Sequence, residues 1–525
     1  MSKDSLGYQC GSSRSQLHLL PPSIEEYVAD NSPVRFIEVF VESLDMSAMQ
    51  FTHHTPATTG RPPYDPKMLL SLYIYGYLFR IESSRRLEAE AKRNLEVMWL
   101  LHQLQPDFKT IARFRSENAT QFELVLKAFN KACAEMTLFS REVVAVDGSK
   151  FKAVNSKDRY LKRQDIEAAR KKADAKITDY LEAVRLADEA DEADEAAQIP
   201  APSKEELQSK LDYWKKNRQK LVLQEEVLNE NKVDELGLTD PDCVRLTDRK
   251  HCAGVVGYNV QCAVEGESHL VVAVDAVTDK NDLHQLAAMA LKAQEELRVE
   301  RDESQGPPPV LKVLADAGYH EASELEQCEK AGIVAVVPAP RSTSGRNNAG
   351  VEVFDLKMFA YDKDRDLFVC PAGMELPRKS TQERHGALVG AYYNRGGCKT
   401  CALKPQCTTG QYRRLKRRED QEMIDRAAQC YQEHRPLFKR RKAIVEHVFG
   451  TWRNKGQGRF LQRGLTKIRG ELQLMALAYN IGRVIQLKGV TALIEKMREM
   501  KEQLNVTKVT LCLLFGKRGS VIIEF

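Results

Sequence analysis

The chain's 525 residues are 42% apolar, 29% charged and 7% aromatic, close to the globular average, which excludes collagen-like, wholly disordered and multi-span membrane proteins. At about 150 residues per domain, this length predicts three or four structural units. Lysine and arginine (79) exceed aspartate and glutamate (74) by only +5, so any affinity for a polyanion has to be written locally. No apolar run approaches the roughly 18 residues of a membrane span, and the first residues lack the apolar core and cleavage site of a secretory signal. A cytoplasmic chain with reduced thiols is expected. Its 12 cysteines are then no disulfide framework, and Cys133, Cys262 and Cys328 read as small buried apolar residues.

A polar arm, residues 1–23, precedes residues 24–140, where apolar positions recur at helical spacing, as in Phe36, Val39, Phe40 and Leu44. This predicts an all-α domain. Pro66 opens a buried helix (MLLSLYIYGYLF), Ser83 and Ser84 suit a cap, and Pro106-Asp107 starts a short helix, FKTIARFR. Its Lys109, Arg113 and Arg115 read either as a DNA-facing surface or as the solvated face of a small bundle.

At Glu142 the pattern changes to VVAVDGS, a short buried strand whose polar tip is Asp147. Residues 157–235 interrupt the β pattern with charged, alanine-rich sequence broken at Pro200 and Pro202, which predicts a helical hairpin with a solvated acidic run at Asp188 to Glu195. Then VVGYNVQCAVE and SHLVVAVDAVT form a hairpin about Gly266 and Glu267, residues 282–300 a helix, and VLKVLADAG and AGIVAVVPAP two more buried strands. Residues 347–434 read as a cysteine-rich, basic insert, polar and irregular from Asn347 to Thr409. A long helical pattern follows near Ala443 to Leu487, and residues 488–525 form a charged helix and apolar tail of no assignable role.

Asp147 and Asp316 both close strands, where carboxylates point into the crevice of an open sheet, though either alone is equally a turn cap. Between Arg435 and Arg469 stand eleven basic residues and one acid, Glu446, with RRLKRR (413–418) upstream. So dense a basic stretch suits phosphate neutralisation, with Arg441, Lys442, Arg453, Lys455, Arg459 and Arg463 as DNA contacts; a solvated basic face is the alternative. Three carboxylates without cysteine or histidine favour Mg2+ or Mn2+. Two such ions roughly 4 Å apart serve in-line displacement at a phosphodiester. Cys370, Cys398, Cys401 and Cys407 include one C-x-x-C pair and suit a closed structural Zn2+ site, or else stay unbound. Asp248, His251 and Asp275 read as supporting groups or turn caps, and Trp452 as a packed aromatic or a base-stacking one.

From Leu20 to Leu487 the sequence resembles the DDE transposases of bacterial insertion sequences. The resemblance rests on RPPYDPKMLLSLYIYGYLF, DFKTIARFR, AVDGSKFKA, GYNVQCAV, ADAGYH, RKAIVEHVFGTWR and RGLTKIRGELQLMALAYNIGRV, in that order. It implies a mixed α/β fold with an RNase H-like core, a five-stranded mixed sheet flanked by helices built from residues 141–156, 236–346 and 435–487. The helical front end would bind DNA. Asp147, Asp316 and Glu446 would be the metal-binding catalytic triad. Relatives often carry a tyrosine and an arginine before the glutamate and a lysine after it; here Phe438 replaces the tyrosine, Arg441 matches the arginine and Arg453 replaces the lysine. Two Mg2+ or Mn2+ ions, terminal inverted repeats and target DNA, and a homodimer or higher oligomer on the nucleoid are implied, with metal-dependent cleavage and strand transfer. The alternatives are an inactive DNA-binding descendant and an RNase H-like nuclease without strand transfer.

Overall fold

The computed structural model describes residues 23–56, 62–192, 204–248, 251–298, 310–340, 353–384 and 387–515. The N-terminal arm and the tail beyond Phe515 lie outside the described residues, as does part of the acidic run in the hairpin. The chain divides into two compact units, one of residues up to Phe129 with those from Leu477, the other Asn130–Ala476.

The first unit is helical: α1 (Pro33–Glu42), α2 (Pro66–Leu78), α3 (Ser84–Arg93), α4 (Leu95–Leu100), α5 (Phe108–Glu117) and the start of α6 (Gln121–Glu135). Side chains of Ser32, Asp65, Asn94 and Asp107 accept first-turn N–H groups, and Pro33 and Pro66 occupy first positions where no N–H is needed. Ser83 precedes α3 without a side-chain cap bond. α2 is buried on every side from Met68 to Tyr77, and Tyr73, Phe51, Phe114 and Phe122 pack ring against ring. Arg115 is no basic face: it is 7% exposed, lies over the Tyr73 ring and donates to Tyr77 Oη at 3.0 Å.

The second unit begins with β1 (Val143–Lys152) and β2 (Tyr160–Lys162). Next come α7 (Arg163–Glu192) and α8 (Lys204–Glu230), an antiparallel pair tied by Arg170–Glu225 and Arg218–Asp174 ion pairs around Ile166, Ala173, Leu221 and Leu228. β3 (Glu235–Gly237) pairs with β2 at its base. β4 (Val244–Asp248), β5 (His251–Glu265), β6 (Val271–Val277), α9 (Leu286–Leu297), β7 (Lys312–Leu314), α10 (Ala322–Lys330) and β8 (Val334–Val336) follow.

The main sheet has six strands rather than five, in the order β4-β5-β1-β7-β8 with β6 also on β5. β5, 15 residues long, pairs with β4 over its first part and β6 over its second. β4, only five residues long, is the strand that the sequence pattern does not predict. β1 is antiparallel to β5 and parallel to β7, which is parallel to β8. The β5–β6 turn spans residues 266–270, longer than the Gly266-Glu267 pair, and His269 takes a positive φ of 60° there.

Residues 353–418 are not irregular. β9 (Ala360–Asp362), β10 (Leu367–Val369), β11 (Glu375–Arg384), β12 (Ala387–Tyr392) and β13 (Leu415–Arg418) form a second, five-stranded antiparallel sheet over Phe359, Phe368, Leu376, Tyr392 and Leu415. Two short helices, α11 (Arg395–Lys399) and α12 (Lys404–Cys407), interrupt it. α13 (Gln421–Glu433) and α14 (Arg435–Phe438) follow, and the long helical pattern after them is broken into α15 (Arg441–Asn454) and α16 (Leu465–Lys488). Gly456 and Gly464 separate the last two at φ of 82° and 85°, values a side chain would strain. Between them Phe460 N–H donates to Lys152 O, and Lys152 N–H to Gly458 O, which seats this loop on the end of β1. α17 (Val490–Phe515) returns to pack on α1. No helix among the described residues is long and apolar enough to cross a membrane.

Candidate active site

The parallel ladder of β1 and β7 ends at Ala145↔Leu314, after which β7 leaves the sheet while β1 runs on. The divergence opens a crevice at the strand ends. Asp147 and Asp316 each stand two residues past that last rung. Asp147 Oδ1 accepts Gly148 N–H at 2.9 Å, and Oδ2 lies 3.2 Å from Arg441 Nη1. Burial pushes the Asp147 carboxyl up to about 6, and the nearby Asp316 charge adds to the shift, against the pull of Arg441 and Gly148 N–H. Asp316 Oδ1 accepts Gly318 N–H at 2.8 Å and starts a 3-10 turn, Ala317–Tyr319. Asp316 is thus a turn cap, whereas Asp147 does not close its strand as the sequence suggested: β1 runs on to Lys152 with Asp147 opposite Cys262 on β5, and the two acids are electrostatic neighbours.

α15 packs on β1 through Ile444, Val445, Val448, Phe449 and Trp452, whose rings meet Phe151 beside Phe460. Trp452 is wholly buried, so it is a core residue and not a base-stacking one. Arg441, near the start of the helix, reaches Asp147, while Arg453, near its end, donates to Ser149 Oγ. Glu446 lies between the two along the helix and seven residues before Arg453, about two turns, so these two share a side. It is exposed and has no hydrogen bond or ion pair among the described residues.

The basic residues divide. Arg441, 6% exposed, is spent on Asp147 and does not present a free cation to solvent, contrary to its reading as a DNA contact. Lys442, Arg453, Arg459 and Arg463 are exposed and Lys455 is half-buried; Arg113 is exposed and ion-paired with Glu117 at 3.1 Å. Phe438 packs edge-on against Tyr431. Asp275 is held by Lys292 and Arg469 at 2.5 and 2.7 Å, an ion-pair hub joining β6 to α9 and α16. The side chains of Asp248 and His251 lie outside the described residues.

Cys370, Cys398, Cys401 and Cys407 line one small space beneath Phe359 and Leu376. Burial raises the Cys407 thiol, and the other three cysteines add to the rise. Four cysteines about one space are the residue types that a structural Zn2+ takes. Cys133, Cys262 and Cys328 are fully buried elsewhere. Asp147 and Asp316 offer hard oxygens, and a cation would offset both the burial that lifts Asp147 and the Asp316 charge that adds to the rise. As the side chains stand, no group of three or more His, Cys, Asp or Glu among the described residues is arranged to hold a metal ion.

Sequence reasoning missed Asp282, in the loop between β6 and α9. Its Oδ1 accepts from Asn259 and Gln261 at 2.8 Å each, and its charge, with those of Asp147 and Asp316, lies close enough to raise the buried Tyr319 hydroxyl, after burial itself. No motif marks it, since TDKNDLHQ reads as an ordinary polar loop.

Residues 22–117 match the family model described as a transposase domain (DUF772), and residues 369–485 match the transposase DDE domain. Two segments far apart in the chain, one helical and one mixed, thus each match a transposase domain, the second of them a DDE domain. That segment contains Glu446 and the four cysteines, and leaves Asp147 and Asp316 outside it. No curated protein matches the chain. Among solved structures it is similar to the piggyBac transposase in a synaptic complex with hairpin DNA, at 8% identity and a TM-score of 0.31, covering 93% of this chain and 83% of that one.

Proposed function

We propose that this chain is a transposase that binds the ends of its mobile element, cuts DNA phosphodiesters by two-metal hydrolysis and joins the freed 3′ hydroxyl to target DNA. The carrying observation is that Asp147 and Asp316 are neighbours just past the last parallel rung of β1 and β7, with α15 and its exposed Glu446 laid along β1. The order of the main sheet supports an RNase H-like core: taken along the chain, β1, β5, β6, β7 and β8 stand third-second-first-fourth-fifth, the first three antiparallel and the last two parallel.

Asp147, Asp316 and Glu446 would hold two Mg2+ or Mn2+ ions. When bound, the pair supplies activation of the attacking oxygen and stabilisation of the leaving one. In the first step a water oxygen attacks phosphorus, the bond to the 3′ oxygen breaks and that oxygen leaves as a hydroxyl. In the second, this hydroxyl attacks a target phosphodiester and displaces the target's own 3′ oxygen, so each step breaks one P–O bond and makes one. Arg441 holds the Asp147 carboxylate until a cation arrives, and Arg453, on the side of Glu446, is placed to meet a phosphate. Lys442, Lys455, Arg459, Arg463 and Arg113 would grip the backbone, and the four cysteines would close a structural Zn2+ site. Two element ends call for a homodimer or larger assembly on the DNA.

Nicking of an end-containing duplex with Mg2+ tests the reading. Asp147→Ala, Asp316→Ala and Glu446→Ala are each expected to abolish cleavage while leaving DNA binding in place. Nicking by all three at the unmodified rate refutes it, and cutting without joining to target DNA would mark a nuclease instead.

A further inference from the structure

The loop from β6 to α9 carries a fourth carboxylate to the crevice. Asp282 Oδ1 takes two amide donors, from Asn259 and Gln261, whose side chains are 2% and 0% exposed; Gln261 in turn accepts the Tyr319 hydroxyl. Two neutral donors on one oxygen fix the plane of the carboxylate. Oδ2 is left without a hydrogen bond among the described residues, and neither Asp282 nor Asp316 is ion-paired there.

Two glycines make room for this approach. A Cβ on Gly148 would lie 2.6 Å from Asp282 Oδ1 and 2.7 Å from Gln261 Nε2, so a side chain at that position would evict the carboxylate. A Cβ on Gly318 would lie 2.9 Å from Asp316 Oδ1 and 3.9 Å from Asp282 Oδ2, so the two acids flank that glycine. Side chains alternate along β1, so Asp282 nears Asp316 from the face Gly148 leaves open, opposite the face on which Asp147 meets α15.

A loop cap needs one oxygen, and Asp282 spends only one on the loop's neighbours. The geometry points to Asp282 as an oxygen ligand that shares a divalent cation with Asp316, an inference resting on the transposase chemistry proposed above. Asn259 and Gln261 are then positioning residues, which aim the free oxygen without touching the ion.

Mn2+ alone, titrated into the full chain without DNA and followed by electron paramagnetic resonance, tests this. Asp282→Asn keeps an oxygen for the two amides and removes the charge. It is expected to weaken Mn2+ binding by about tenfold or more, with the metal-free melting temperature unchanged. The double variant with Asp316→Asn is expected to lose little more than the worse single one, because both acids serve the same ion. Unchanged Mn2+ affinity in Asp282→Asn, with affinity lost in Asp147→Asn and Asp316→Asn, overturns the inference and spares the proposed function. Unchanged affinity in all three overturns both. If Asp282→Asn lowers the melting temperature, Asn259→Ser decides, because it keeps the charge and loosens its aim: weakened binding supports the inference and unchanged binding overturns it.

Discussion

Asp147 keeps its proton to a higher pH than an ordinary aspartate because its surroundings solvate the anion poorly and Asp316 repels it. With a native value of about 6 against 3.8 for an ordinary aspartate, the folded chain binds the extra proton between those values. Stability of the metal-free fold therefore declines as pH rises through that window. The deprotonated form is the one that binds a cation, so Mn2+ affinity is expected to fall as pH drops through about 6, and Asp147→Asn is expected to lose that inflection; a titration at several pH values checks both. Glu446 is the opposite case. Exposed and unpaired among the described residues, it contributes little to folding, so Glu446→Gln is expected to change stability by less than about 0.5 kcal/mol in a urea titration while cleavage is lost. Asp316 and Glu446 were legible because a strand end and a basic run leave marks in sequence, whereas Asp147 reads as a strand end only because Gly148 and Ser149 imitate a turn, and β1 continues past it. Arg441 was not legible: counting charge cannot separate a base that neutralises a buried acid from one that meets phosphate, since the difference lies in what faces it.

Elements differ in how loudly they announce themselves. α2, with every position from Met68 to Tyr77 buried, and β1, with four successive buried residues, are apolar runs visible in any reading. The second sheet is quiet, because β11 and β13 are largely polar and gain their burial only from one face over Phe368 and Tyr392. So small a core, with four cysteines beside it, is the kind that a metal staples. Chelator treatment, or Cys401→Ser, is expected to speed hydrogen exchange across residues 353–418 while the amides of β1 and β5 stay protected; exchange mass spectrometry reads both at once. α15 is held by its ring cluster instead. Trp452→Ala, which empties a fully buried site, is expected to cost about 3–5 kcal/mol in chemical denaturation and to leave the salt dependence of DNA binding untouched.

Across the whole molecule a net charge of +5 conceals an uneven distribution. If exposed bases meet the DNA backbone, affinity falls steeply with salt, and replacing Lys442, Arg459 or Arg463 by alanine is expected to lower the log–log salt slope by about one each. Fluorescence anisotropy at four or five salt concentrations measures it. The sequence by itself determined which side chains carry charge, where apolar runs must be buried and what order of elements the chain follows, because these are local properties of composition and spacing. Tertiary structure alone decided that Asp147 and Asp316 become neighbours across 169 residues, that Arg441 turns inward and Trp452 is sealed, and that Asp282 arrives as a fourth acid. The pairing of β1 with β7 and the two glycines that leave space are long-range facts, and no short window of sequence contains them.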